Sequence, residues 1–333
     1  MRVVVADPPA FTPPYDHALA AALARAGADV ELVTSRFRFG DVPAPDGYRR
    51  REVFYPLSSR LFRRSKLRLP LKVLEHPFGL ARLARVRADV LHLQWVAAPE
   101  LDARLLRHDA PLVFTAHDLL PRRTAKKEAL WRRLFDRFER VVVHSERGRD
   151  TLAAFGVAES KLRVIPHPVF PGPVERRDDG STVLALGSVR PYKQLDQARE
   201  AVSRVDGARL RVAGDADTFL SETEIDQALA ETTVAIFPYR AEIDQSGALL
   251  RALGAGVPAV VYDVGGLGEP VREFGAGRVV SADDVDGLAG AIRDLLHDPD
   301  ALQAARAGAL RAREELTWDS AAAAHLDLYR ELC

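Results

Sequence analysis

The chain has 333 residues, 47% of them apolar, which is enough for two ordinary domains with a core each. No apolar run approaches the ~20 residues of a membrane-spanning helix, and the single cysteine, Cys333, excludes an intrachain disulfide and a thiolate metal cluster. The zero net charge conceals an asymmetry: residues 1–170 carry 30 Lys/Arg and 19 Asp/Glu, residues 171–333 carry 17 and 28, so the halves are expected to be separate domains with different partners.

Arg2-Val-Val-Val-Ala6 reads as a buried parallel strand rather than a signal peptide, and a cytoplasmic protein is expected. The loop from Asp7 to Pro14 holds four prolines and is expected to be non-helical, with Asp16 capping a helix over 17–26. Asp29-Val-Glu-Leu-Val-Thr34 is the next strand. This is a βαβ unit without the Gly-x-Gly-x-x-Gly fingerprint, which disfavours a nicotinamide dehydrogenase. Residues 40–56 read as turn-rich. Residues 49–87 hold 12 basic residues against Glu52 and Glu75, with apolar residues interleaved and a helix expected from about 71 to 87. That stretch suits either a solvated Arg-rich surface or peripheral contact with an anionic membrane. Nucleic acid is disfavoured, because aromatics do not interleave at stacking spacing.

Strands follow at 89–94, 112–116, 140–144 and 163–165, alternating with helices, and 169–180 reads as an interdomain linker. The pattern then restarts: strand 182–186, loop Gly187-Ser-Val-Arg-Pro-Tyr-Lys193, helix, strand 210–213, helix, and strand Val234-Ala-Ile-Phe237. Next come the polar cluster Asp244-Gln-Ser-Gly247, an Ala/Leu-rich helix, strand Ala259-Val-Val-Tyr262 and three further helices. The fold expected is α/β, two doubly wound parallel-sheet domains facing across a cleft. The first spans 1–169 with the helix 318–333 rejoining it, and the second spans 170–317.

The chemistry concentrates in two loops of the second domain. Ser246-Gly247 opens a helix, whose first N–H groups and dipole suit a phosphate, although for the pair taken alone an ordinary N-cap is the commoner explanation. Gly187 permits close backbone approach. Arg190 can grip two phosphate oxygens and Lys193 offers a point charge, unless both are plain surface charges. In the first domain, His117 ends a strand, where a satisfied buried histidine is the plain alternative.

These loops, with ALARAGADVELVT, DVLHLQ, FTAHDLLP, VVVHSE, VIPHPV, GSVRPYK and GAGVPAVVYDVGGLGE, are where the chain resembles the family-4 retaining glycosyltransferases of the two-Rossmann (GT-B) type. The resemblance implies metal-independent transfer of a sugar, with retention, from a nucleoside diphosphate sugar to an acceptor. It requires no cofactor and no metal. It gives catalysis to His117, Arg190 and Lys193, and donor binding to Gly187, Ser188, Arg190, Lys193, Glu242, Asp244, Gln245, Ser246 and Gly247. Acceptor binding falls to the first domain, with Tyr15 and Asp16 as candidate contacts, and the basic stretch 49–87 points to an acceptor that is lipid-linked or phosphorylated, at the inner face of the membrane.

Three positions depart from the family pattern. Ile243 and Arg251 stand where the family often has a Glu-x7-Glu pair, so Asp244 or Glu242 is the candidate substitute ribose ligand. Ser188 replaces an arginine that Arg190 would supply. The segment 215–233 is short of a strand and a helix. A sugar-nucleotide epimerase or sugar phosphorylase on the same fold, and a non-catalytic partner subunit, are the competing readings.

Overall fold

The computed structural model describes residues 1–38, 40–61, 68–120, 124–172, 175–214, 220–241 and 243–333. The chain divides into two compact units, Met1–Ile165 with Trp318–Cys333, and Pro166–Thr317. The boundary lies four residues before the expected 169. Val169 explains the difference: it is buried in the second unit's core, and its N–H donates to Leu316 O at 2.9 Å. Residues 169–180 are likewise no linker where described. Gly172 N–H donates to Gly254 O, Arg177 N–H donates to Ala230 O, and Asp178 pairs with Arg176 and Arg306.

In the first unit the elements are β1 (Arg2–Asp7), α1 (Pro13–Arg25), β2 (Asp29–Ser35), β3 (Arg49–Phe54), α2 (Ser58–Leu61), α3 (Arg68–Leu83) and β4 (Val90–Leu93). They continue with α4 (Pro99–Leu105), β5 (Leu112–Thr115), α5 (Glu128–Asp136), β6 (Arg140–Val143), α6 (Glu146–Phe155) and β7 (Leu162–Val164). The strands form one parallel sheet in the order β3-β2-β1-β4-β5-β6-β7. Val3, Val4, Val5, Val90, Leu91, Val113, Val141 and Val142 are all buried, because helices cover both faces of a parallel sheet.

Two expectations change here. Residues 49–54 form an edge strand, not turns, its arginines meeting carboxylates of the neighbouring strand: Arg49 pairs with Asp29 and Arg51 with Glu31. Helix α1 begins at Pro13, so the prolines start the helix instead of preventing it; at N1 and N2 a missing N–H costs nothing. Asp16 therefore falls inside the first turn rather than at the cap, and Thr12 takes the N-cap position.

The second unit contains β8 (Thr182–Leu186), α7 (Leu195–Ser203), β9 (Arg209–Ala213), α8 (Glu222–Ala230), β10 (Val234–Phe237), α9 (Gly247–Gly254) and β11 (Ala259–Tyr262). It closes with α10 (Gly268–Phe274), β12 (Gly277–Val280), α11 (Val285–His297) and α12 (Pro299–Glu315). The five strands are parallel, in the order β12-β11-β10-β8-β9. The order reverses at β8, and the loops after β8 and β10 leave the sheet side by side there, where open α/β sheets bind ligands. Among the described residues a single helix, α8, crosses from β9 to β10. β9 is consequently the sheet edge, with Arg211 held by Glu231. The final helix, α13 (Trp318–Arg330), packs on the first unit: Arg25 pairs with Asp319, and Tyr329 Oη lies 2.6 Å from His92 Nδ1.

Candidate active site

In the second unit, β8 ends at Leu186 and the chain turns at Gly187, whose φ of 94° only glycine adopts without strain. Its N–H donates to Ala213 O at 2.7 Å. A Cβ on Gly187 would stand 2.7 Å from Lys193 Nζ and 3.9 Å from Ala248 Cβ. The missing side chain is thus the point where the loop after β8, the lysine and the first turn of α9 meet. Gly214 fits against the same turn: its Cβ would stand 2.6 Å from Gly187 O.

Lys193 sits in a single 3-10 turn, Pro191–Lys193, that folds its side chain back under the strand end. It is 7% exposed; its Nζ donates to Leu186 O at 2.8 Å and lies 5.6 Å from the centre of the Tyr239 ring. No carboxylate among the described residues pairs with it. Burial, and then the charge of Arg190, pull its pKa down to about 8. Arg190 is exposed, and its carbonyl accepts from Lys193 N–H at 3.0 Å. Ser188 is half-buried.

Ser246 caps α9, its Oγ accepting from Leu249 N–H at 3.3 Å and lying 3.5 Å from Tyr239 Oη. The plain N-cap reading therefore holds for this serine. It does not consume the other N-terminal N–H groups, and Gly247 is exposed with no atom near its Cβ position. Asp244 is buried and turned toward the loop after β11: its Oδ1 and its carbonyl both accept from Gly266 N–H, at 3.1 and 2.8 Å. Through these two oxygens it holds two loops together. Gln245 is half-buried beside it. Glu242 lies outside the described residues, as do residues 215–219 of the shortened segment. Arg251, at the family's glutamate position, is taken up structurally. It makes two bonds to Glu222, at 2.6 and 2.9 Å, and stacks on Phe170 at 4.7 Å.

In the first unit, His117 follows β5 and is half-buried. Its Nε2 lies 2.9 Å from Gln94 Oε1 and its Nδ1 lies 3.4 Å from His144 Nε2. Trp95 stacks on its ring at 5.1 Å and Tyr15 meets it edge-on at 4.7 Å. Both ring nitrogens are engaged, so the satisfied-histidine reading describes its contacts.

Tyr15 and Asp16 are 2% and 1% exposed, which corrects their assignment as acceptor contacts. Because α1 starts at Pro13, both side chains turn inward. Tyr15 packs against His117, His144 and Trp318, and Asp16 shares a hydrogen bond with Asp7. Burial and the neighbouring Asp7 charge hold Asp16 protonated well above the carboxylate range. The surface available at this end is aromatic instead. Phe11 is 61% exposed and meets Trp95 at 5.3 Å, and Trp95 is pinned by its Nε1–H donating to Thr12 Oγ1 at 2.8 Å.

Sequence reasoning passed over Tyr239 and Gly214. Their positions directly after strand ends, beside a positive-φ glycine, were the only signal available. Among the described residues no group of three or more His, Cys, Asp or Glu is arranged to hold a metal ion.

Two parallel α/β sheets, with a cationic loop and a helix start at one sheet edge, define the two-Rossmann class of group-transfer fold. The family model described as "Glycosyltransferase Family 4" matches residues 15–171, and "Glycosyl transferases group 1" matches residues 180–298. The chain belongs to the family-4 glycosyltransferases of GT-B type. It is 27% identical over 287 residues to a glycogen synthase of Mycobacterium tuberculosis, covering 73% of this chain and 69% of that protein. It is 26% identical to a D-inositol 3-phosphate glycosyltransferase of Mycobacterium marinum, covering 92% and 78%. Among solved structures, sucrose-phosphate synthase from Thermosynechococcus elongatus superposes with a TM-score of 0.77 at 18% identity, over 100% of this chain and 99% of that one. The Anabaena protein HepE in complex with UDP-glucose superposes with a TM-score of 0.71 at 15% identity, over 100% of both chains.

Proposed function

We propose that the chain is a retaining, metal-independent glycosyltransferase that moves a sugar from a nucleoside diphosphate donor to an acceptor hydroxyl. The observation that carries this reading is Lys193: an ammonium 7% exposed, set beside the bare backbone of Gly187 at the start of α9. No carboxylate among the described residues pairs with it, and a buried ammonium is unfavourable unless an anion completes its shell. Arg190 and the N–H groups at the start of α9 suit that same anion. The UDP-glucose held by HepE supports a nucleoside diphosphate sugar as donor.

In the transfer, the bond between the anomeric carbon and the diphosphate oxygen breaks, and its electron pair stays on the phosphate. The acceptor oxygen forms the new bond on the same face and releases its proton to the departing phosphate oxygen. Negative charge grows on the diphosphate, where Lys193, Arg190 and the helix start would stabilise it without a metal ion. The sugar-facing role that the family resemblance gives His117 is part of the same proposal. So are a cytoplasmic location and an acceptor that is lipid-linked or phosphorylated.

The test is a thermal-shift screen of uridine, guanosine and adenosine diphosphate sugars, since a ligand selective for the folded state raises its stability. Transfer in the presence of EDTA follows, with the anomer of the product read by NMR. One donor should stabilise the chain, and EDTA should leave transfer intact with the donor's anomeric configuration kept. Binding with epimerisation or phosphorolysis and no transfer would instead mark a different enzyme on this fold. Absence of binding at millimolar donor would mark a non-catalytic subunit.

A further inference from the structure

Helix α3 leaves much of its apolar surface uncovered while burying two of its polar side chains. The side chains it turns outward include Leu69, Pro70, Val73, Leu74, Phe78 and Ala81, with Pro77 half-buried among them and Arg82 exposed at its end. Leu69, Leu74 and Phe78 are 60, 67 and 69% exposed. The side it turns inward holds Glu75 and His76 beside Leu80 and Leu83, which join the core. Glu75 accepts from Leu57 N–H and Ser58 N–H at 2.7 and 3.1 Å, and His76 Nε2 lies 2.6 Å from Asp102 Oδ1. Gly79 lets this inner side close on the sheet, since its Cβ would stand 2.2 Å from the Phe54 ring. Glu75 and His76 are therefore employed inside, and these bonds set the rotation of the helix. Water-facing helix surfaces are ordinarily polar; a contiguous apolar one marks a contact surface.

The stretch of chain that carries this face is basic. Residues 53–88 hold nine Lys/Arg and one carboxylate, Glu75, and that carboxylate is buried. Arg60, Arg82 and Arg85 are exposed, and Lys72 lies over the Tyr55 ring at 4.4 Å. We propose that α3 is a membrane-docking surface: its leucines and Phe78 enter the headgroup–acyl boundary of an anionic bilayer while the flanking cations meet the lipid phosphates. Interfacial helices of this kind bind through buried apolar area together with attraction to anionic lipid. Self-association through the same face would bring two like-charged rims together and is disfavoured for that reason. The proposal is independent of the donor chemistry of the second unit.

Co-sedimentation of the full chain with vesicles tests it. One set contains two parts phosphatidylcholine to one part phosphatidylglycerol; the other is phosphatidylcholine alone. We expect binding to the anionic vesicles, weakened by salt, and little to the neutral ones. Leu74→Ser with Phe78→Ser, and separately Arg82→Glu with Arg85→Glu, should each lower the anionic partition by about tenfold or more. Both double variants should keep the wild-type melting temperature and any nucleotide-induced shift. Equal sedimentation of wild type and variants, or no binding of the wild type, overturns the proposal. So does a wild-type dimer in light scattering that becomes a monomer in the Leu74→Ser, Phe78→Ser variant, because the face would then belong to a second copy.

Discussion

At the scale of single residues, Lys193 decides most. Replacing it with Ala removes a charge-assisted contact and should weaken diphosphate binding by about 1.5–3 kcal/mol, roughly ten- to hundredfold, by titration calorimetry. Arg190→Ala is exposed to solvent screening and should cost less. If neither changes the affinity for the diphosphate, the phosphate assignment fails. The lowered pKa, about 8, adds a pH signature. In the free protein the ammonium is present below about pH 8 and is lost above it, so diphosphate affinity should fall as pH rises through that value. Stability has the opposite sign: the unfolded lysine keeps its proton to higher pH, so Lys193 costs stability at neutral pH and that cost disappears as pH rises past about 8. Titrations from neutral to alkaline pH separate the two effects. Arg190 and Lys193 were legible in the sequence as a charged loop after a strand, but their unequal burial was not. A one-dimensional pattern cannot tell which of two cations folds under the strand end.

Among elements, α3 and α9 carry separate predictions. Gly79→Ala places a methyl group against Phe54, which is itself 1% exposed and cannot retreat. Overpacking of this kind should lower stability by about 1–3 kcal/mol, measured by denaturant unfolding. An unchanged midpoint would mean that α3 lies loosely on the sheet. In α9, Ser246→Ala removes the N-cap bond to Leu249 and should cost about 1 kcal/mol by the same measurement. Helix α1 was misjudged from sequence because proline was treated as a breaker. Thr12 followed by Pro13 and Pro14 is a helix start, and that shift turned Tyr15 and Asp16 from surface to core. Strand β3 was missed because Arg49, Arg50 and Arg51 conceal the alternation, the charges of Arg49 and Arg51 being met by Asp29 and Glu31 on the neighbouring strand.

On the scale of the whole molecule, the first unit buries three histidines in neutral form. Burial, helped by the charges of His325 and His144, lowers His92 well below its ordinary value; burial brings His144 and His325 down to about 4. The unfolded chain protonates these rings near pH ~6.5, so the stability they contribute is complete above that value and falls as pH drops toward about 4. His325 Nε2 has no hydrogen-bond partner, so His325→Leu removes a titrating ring at little cost. The variant should lose less stability than wild type between pH ~6.5 and about 4, as read by thermal unfolding across that range. Parallel profiles for the two proteins would rule His325 out as a source of acid sensitivity. In the second unit the described part of the short segment between β9 and β10 holds the helix α8. With α8 the single crossing element among the described residues, β9 becomes an edge strand protected by its arginines.

The sequence by itself determined the alternation of strand and helix, the two units, and the family. All three follow from local patterns: buried strands read as apolar runs, helix starts carry caps, and the motifs keep their order. Only the tertiary structure decided which polar groups are consumed internally. Asp244 is spent on Gly266, Arg251 on Glu222, and Tyr15 and Asp16 on the core, while α3 turns its apolar side outward. Such choices depend on contacts between residues far apart in the chain, and desolvation at each position sets their energy.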